Sequence, residues 1–472
     1  MSKILKNLSY NLVYQILVFV LPLITTPYVS RVLGAENIGI FAYTNAIVYN
    51  FILFAMLGMS NLGNRSIASV QNKKKERSTI FCNLYCIQFV CFFVALLIYF
   101  VYVFTATEEY KVYLYVQAIY LVSGMLDISW LYFGLEEFKF TVVRNAIIKI
   151  VSVVLIFLLV KSSKDLIVYT IIISVSYLLS QLYLWIPLSK RIEFVTPSFM
   201  VMHDYLKPLF ILFAPVLAYS IYKVMDKIML GMFSTMNEVA YYENSLKIVS
   251  IPTGIITALG TVMLPRMSAL ISNDDSKTSK LYMRLSIHFV TLISAGSFFG
   301  VLAVGDNLAI TYFGNEFVKC GPLMKLLTMT CFFVGWANVG RTQYLIPNKL
   351  DKIYVISTAA GAVINLFINL LLIPKMASIG AAIGTIFAEF GVMIIQYLLI
   401  RKYINLFVWI RESVGYVIVG IFMGSVVFFL QKALPYGWSS LLVEVVVGAI
   451  LYYLICYFYI RLNVTKKIKQ EF

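Results

Sequence analysis

Apolar runs of about twenty residues alternate with short polar stretches from one end of the chain to the other. A run of that length matches the roughly 30 Å hydrocarbon thickness of a bilayer at about 1.5 Å rise per residue, so each run predicts a membrane-spanning helix. The pattern gives about fourteen spans, at about 9–30, 38–62, 80–104, 112–133, 146–160, 167–187, 208–231, 245–265, 285–305, 322–345, 353–373, 379–400, 413–431 and 440–460. No loop between them exceeds about twenty residues, which leaves no room for a soluble catalytic or nucleotide-binding domain. There is no GxxxxGK[ST] phosphate cradle either, so energy is expected from ions, membrane potential or the substrate itself.

Composition agrees with the pattern: 61% of residues are hydrophobic and 13% charged, against roughly 45–50% and 25% in soluble domains. The formal charge of +16 could suggest nucleic acid as a partner. Placement argues otherwise, because Lys and Arg collect in short loops such as QNKKKERS (71–78), SKRIEF (189–194) and PNKLDK (347–352). Counted with flanking helix ends, roughly 27 fall on the side of the N-terminus and roughly 8 on the other, the bias that marks cytoplasmic loops. Both termini are therefore expected in the cytoplasm, and no nucleic-acid partner is expected. The first apolar stretch, after MSKILK, is too long for a signal-peptide core and is expected to stay as the first span. The six cysteines lie in or beside apolar runs without a His or second thiol at zinc spacing, so no metal site is expected.

Two parts of the chain echo one another. LPLITTPYVSRVLGAENIGIFAYTNAI (21–47) and FAPVLAYSIYKVMDKIMLGMFSTMNEVAYYENSLKI (213–248) each hold a proline-bearing span, a charge near its end, a short loop and a Tyr/Asn-rich helix start. Internal repeats of this kind are common in transporters and place the substrate where the halves meet.

Several stretches, taken together and in order, resemble the polysaccharide flippases that export lipid-linked O-antigen, capsule and exopolysaccharide units. They are PYVSRVLGAENIGI (27–40), MSNLGNRSIA (59–68), DISWLYFGLEEFKF (127–140), MDKIMLG (225–231), YFGNEF (312–317) and NLLLIPKMASIGAAIGT (369–385). That family sits in a superfamily with the lipid II flippase and the multidrug and toxin exporters. The resemblance implies an all-α polytopic membrane protein of about fourteen helices: two pseudo-symmetric six-helix lobes, 1–200 and 201–402, followed by two extra helices and a basic tail at 403–472. It implies alternating access and an undecaprenyl-pyrophosphate-linked oligosaccharide as substrate, carried from the cytoplasmic to the outer leaflet of a bacterial cytoplasmic membrane. Partners would be that substrate, the bilayer and the polymerase and chain-length machinery of the pathway. No cofactor is expected beyond a coupling ion, H⁺ or Na⁺.

Charge inside spans is where chemistry is sought, since each such group costs about 2.5–3.5 kcal/mol at the bilayer centre on insertion scales. Helical geometry puts Lys223, Asp226 and Lys227 within an arc of about 100°. Two readings stand: ammonium groups lining a sheltered cavity that attracts a pyrophosphate anion, or a structural Lys223–Asp226 pair with Lys227 snorkelling outward. Arg31 holds the matching place in the first repeat and either shares an anion site or satisfies helix-end carbonyls. Lys247, near a helix end, joins the substrate-binding candidates. Arg65 and Asp127, in the family-like segments, either hold a gate or pin helices. Glu389, in the middle of IGTIFAEFGVMII, is either an ion-coupling carboxylate or a packing group. Glu444 is expected to snorkel and His288 to pack. A drug or cation antiporter of the same superfamily would prefer acidic lining, and a membrane polymerase or glycosyltransferase would need catalytic outer loops; both are weaker alternatives.

Overall fold

The computed structural model describes residues 3–464, with side chains described for all of these but 3–20, 138–139, 214–215, 218–219, 221–223 and 463–464. Among the described residues every regular element is helical. Two compact units form, Met1–Ile228 and Met229–Phe472.

The first unit opens with α1 (Lys3–Met56), two arms meeting at Gly34, where φ of 81° leaves the helical path. Glycine suits this joint because a Cβ is penalised at positive φ. The second arm stops short of the span end predicted near 62: Leu57 and Gly58 both have positive φ, and α2 (Met59–Ala68) starts afresh. The cause is a close approach, since a Cβ on Gly58 would lie 3.0 Å from the Leu212 backbone. Then follow α3 (Lys74–Thr105), α4 (Glu108–Met125), α5 (Ser129–Gly134), α6 (Phe138–Leu159), α7 (Leu166–Trp185), the single turn α8 (Leu188–Arg191) and most of α9 (Phe199–Phe233).

The run read as one span at 112–133 is two helices, because the chain bends after Met125. Lipid cannot hydrate the carbonyls that such a bend leaves open, so protein must satisfy them. Gln88, in the apolar middle of α3, does this. Its Nε2 lies 3.3, 3.2 and 2.8 Å from the carbonyl oxygens of Gly124, Met125 and Asp127, while its Oε1 accepts from Trp130 Nε1 at 3.0 Å. Trp130 is fully buried against Gly63, where an added Cβ would fall 2.5 Å from the ring.

The second unit comprises the end of α9 with α10 (Met236–Ser272), α11 (Ser276–Leu308), α12 (Cys320–Leu327), α13 (Thr330–Gly340), α14 (Asp351–Ile400), α15 (Leu406–Glu412), α16 (Val414–Ala433) and α17 (Trp438–Tyr459). Like α1, α14 is two arms, here joined at Ala377 with φ of 49°. They run antiparallel and meet through small residues, Gly361 against Val392, Gly380 against Leu372 and Gly384 against Asn369. In hydrocarbon, close backbone approach and polar contacts replace the hydrophobic effect as the force joining helices. The final pair docks on α11. Gly420 and Gly424 sit against Phe299, and the Tyr452 hydroxyl donates to the Leu292 carbonyl at 2.8 Å.

Among the described residues eleven helical stretches are long and apolar enough to cross a membrane. The α1 and α14 stretches each hold two predicted spans and α9 lies outside the eleven, so the fourteen predicted spans all have helical counterparts. The chain is an all-α polytopic membrane protein.

Candidate functional site

On the first unit's side of the division, α9 carries the charges singled out above. Ser220 Oγ donates to Asn50 Oδ1 at 2.8 Å, which turns one face of α9 toward the second arm of α1. Positions 223 and 227 follow 220 at helical spacing on that face; the Lys223 side chain itself lies outside the described residues. Asp226 is 1% exposed and Lys227 half-buried, and both are engaged in contacts. A snorkelling Lys227 beside a buried Asp226 is one arrangement this allows, and a cavity-lining pair is another.

Asn50 also stands at the polar corner of an open apolar groove of about 540 Å³ between α1 and α3, lined by Phe51, Phe54, Val90, Cys91 and Val94 among others. Deeper in the unit, Gln117 Nε2 donates to Thr44 Oγ1 at 2.6 Å and its Oε1 accepts from Asn45 at 3.4 Å. The other candidates here lie apart from this group in the chain's architecture. Arg31 is exposed, three residues before the Gly34 joint, and Arg65 is exposed on α2. Asp127 closes the bend between α4 and α5 by accepting from the Ser129 amide at 2.8 Å. Although α2 packs on α5, no ion pair links Arg65 to Asp127 among the described residues.

In the second unit, Glu389 is 3% exposed on the second arm of α14. The antiparallel register fixed by Gly361 with Val392 and Gly384 with Asn369 sets it level with Asn365. Asn365 Oδ1 accepts from Asn369 at 3.1 Å, its buried Nδ2 has no hydrogen-bond partner among the described residues, and Thr385 lies one turn from Glu389 with its hydroxyl 2.7 Å from that of Tyr242. Lys247, on α10, donates to Asn244 Oδ1 at 3.1 Å.

Glu444 does not snorkel. It is fully buried, with Asn307 Nδ2 3.1 and 3.0 Å from its two oxygens, and Asn307 Oδ1 in turn accepts from Thr311 and the Gly437 amide. His288 packs as expected, with Nδ1 3.4 Å from Ser413 Oγ and Nε2 3.8 Å from Glu412, the carboxylate that also grips Arg284 at 2.8 and 3.1 Å. Gln88, Gln117, Asn307 and the Arg284–Glu412 pair were missed as organising residues. An amide isolated inside an apolar run, as in CIQFVC and YVQAIY, is the signal that marks the first two. Among the described residues no group of three or more His, Cys, Asp or Glu side chains is placed to hold a metal ion.

Residues 4–271, more than half of the chain, match the family model described as "Polysaccharide biosynthesis protein". The chain belongs to this family. Within its relatives, a protein assigned as an O-antigen transporter in Shigella dysenteriae is 24% identical over 385 residues, 81% of this chain and 95% of its own. The fold is similar to that of a lipid II flippase, MurJ, solved in an inward closed conformation, with a TM-score of 0.78 at 16% identity over 95% of this chain and 99% of that one. An inward-facing multidrug transporter of the MATE family follows at 0.66 and 13% identity, over 83% of this chain and 96% of its own. A member of the polysaccharide biosynthesis family with this architecture is a multi-pass membrane protein built on a transporter fold.

Proposed function

We propose that the protein is a flippase that carries undecaprenyl-pyrophosphate-linked oligosaccharide units from the cytoplasmic to the outer leaflet by alternating access. One observation carries this reading: the family match over residues 4–271 falls within a flippase-like fold that covers 95% of the chain. The charges fit the cargo. Arg31, Lys223, Lys227 and Lys247 are cations able to meet a pyrophosphate, with Asp226 setting the charge of their neighbours. An open apolar groove lined by Phe51, Phe54 and Val94 suits a hydrocarbon chain. Arg65 and Asp127 act in gating and Glu389 in ion coupling, with H⁺ or Na⁺ as driver. The lobes are taken as 1–200 and 201–402, the extra helices as 403–472, and both termini as cytoplasmic.

The test is flipping of a fluorescent lipid-linked oligosaccharide by the purified protein in vesicles, with and without proton or sodium gradients. Active transport by the parent and its loss on Lys223→Ala together with Lys227→Ala, at unchanged membrane abundance, is the expected outcome. Unimpaired flipping by the double variant would remove the anion site.

A further inference from the structure

The four most exposed large apolar side chains among the described residues all fall within one stretch: Ile186 at 75%, Phe194 at 72%, Phe199 at 81% and Met200 at 78%. Phe194 lies within the extended linker 192–198, between α8 and α9, and the other three lie on either side of it. This linker is held in place. The Glu193 amide donates to Ser78 Oγ at 2.9 Å, the Val195 amide to Cys82 Sγ at 3.3 Å and the Ser198 amide to Asn83 Oδ1 at 2.8 Å, so its backbone is zipped along the first turns of α3. Arg77 grips the Arg191 carbonyl at the linker's start, and Lys74 pairs with Glu193 at 3.2 Å. A segment fixed so firmly that still turns Phe194 outward is presenting that side chain to something.

Its level identifies what. The linker leaves the candidate span Ser163–Arg191 and lies along the start of the span Lys74–Thr105, so it sits where hydrocarbon gives way to headgroups. Aromatic and aliphatic side chains beside lysines at that depth are the composition of an interfacial anchor. Lys75, Lys190 and Lys207 are exposed and make no ion pair among the described residues. Unneutralised lysines at a membrane surface favour anionic lipid.

We propose that residues 186–200 form a lipid-docking surface, with Phe194, Phe199 and Met200 inserted at the headgroup boundary and Lys75, Lys190 and Lys207 contacting anionic headgroups. The proposal is independent of the cargo. It concerns the bilayer in which the protein stands and can be tested without transport.

The experiment places a tryptophan at the surface, Phe194→Trp or Phe199→Trp, in the full chain reconstituted into phosphatidylcholine vesicles with or without phosphatidylglycerol. The added emission is read as the difference from the parent. Lipids brominated near the carbonyl should quench it, aqueous acrylamide should not, and its maximum should shift to the blue when phosphatidylglycerol is present. Substituting Lys75, Lys190 and Lys207 together with Gln should abolish that phosphatidylglycerol-dependent shift. Quenching by acrylamide instead of bromolipid would overturn the proposal. So would protection from both quenchers, the sign of a protein partner or a second copy covering the surface, or identical behaviour in the two vesicle types.

Discussion

The interiors of the two units differ in how much carboxylates add to a network of neutral amides. In the first, neutral amides do most of it: Gln88 closes the bend after α4, Gln117 joins Thr44 to Asn45, and Asn37 ties the Gly34 joint to the Ser163 carbonyl at 3.0 Å. Even the buried Arg144 guanidinium has neutral oxygens among its acceptors, the Ser180 carbonyl and Asn145 Oδ1. In the second unit, carboxylates join amides such as Asn338, Gln343 and Gln396 in this task. Glu238 receives Lys319 Nζ at 2.5 Å and the Ser378 amide at 3.2 Å, binding the start of α10 to the loop before α12 and to the turn of α14. Glu412 holds Arg284, Glu444 holds Asn307, and Glu389 lies buried in α14. Asp226 is the first unit's buried exception, two residues from its end. An amide network keeps one charge state at every pH, whereas a carboxylate can bind a proton or a cation. Among the described residues the buried carboxylates other than Asp226 lie in the second unit, so more of its internal contacts involve groups able to take up a proton.

Three substitutions would break or sharpen this contrast. Glu412→Ala should have the largest effect, because it strips its carboxylate from a guanidinium only 4% exposed. Removing one partner of a buried pair costs about 3–5 kcal/mol, and denaturant titration of the solubilised protein would read it; a loss well under half of that would mean that the pair is solvated. Gln88→Leu comes next, at about 2 kcal/mol, since it keeps the volume but leaves Trp130 Nε1 and the α4 carbonyls without their partner. The same titration checks it, and a neutral result would show the bend to be satisfied by other groups. Glu444→Gln should be the mildest, about 1 kcal/mol or less, because an amide can still bond Asn307 and interhelical hydrogen bonds in membranes are individually weak. Its value lies in the second readout: the dependence of flipping on the proton or sodium gradient should change in this variant and stay as in the parent in Gln88→Leu.

What the sequence made legible was the one-dimensional part of the problem. Twenty apolar residues must span a bilayer, so the helices could be found one by one, and the family-like segments followed. Where helices break was harder to see. Gly58 ends the second arm of α1 because Leu212, more than 150 residues away, needs the space, and Met125 ends α4 because Gln88 stands ready to cap it. Periodicity within a run carries neither fact. Glu444 failed for the same reason: its position near a helix end suggested a route to water, while its partner sits on α11, 137 residues earlier in the chain. Among the site candidates, the burial of Glu389 was legible from its place in the middle of a run. The positions of Arg31 and Arg65, exposed at joints in the first unit, depend on breaks that the pattern did not show.

The folded-back α14 has a consequence for how this chain can change length. Its arms are registered residue by residue, from Gly380 on Leu372 near the Ala377 turn to Gln396 Nε2 on Ser357 Oγ at 3.1 Å far from it. One inserted residue within either arm would rotate everything beyond it by about 100° and displace it by about 1.5 Å, sending Asn365 away from the level of Glu389 and driving a larger side chain into the place of a glycine. Insertions and deletions are thus excluded from the paired stretches of the two arms as firmly as from a screw thread, and length variation belongs to the Ala377 turn and to the stretches on either side of α14.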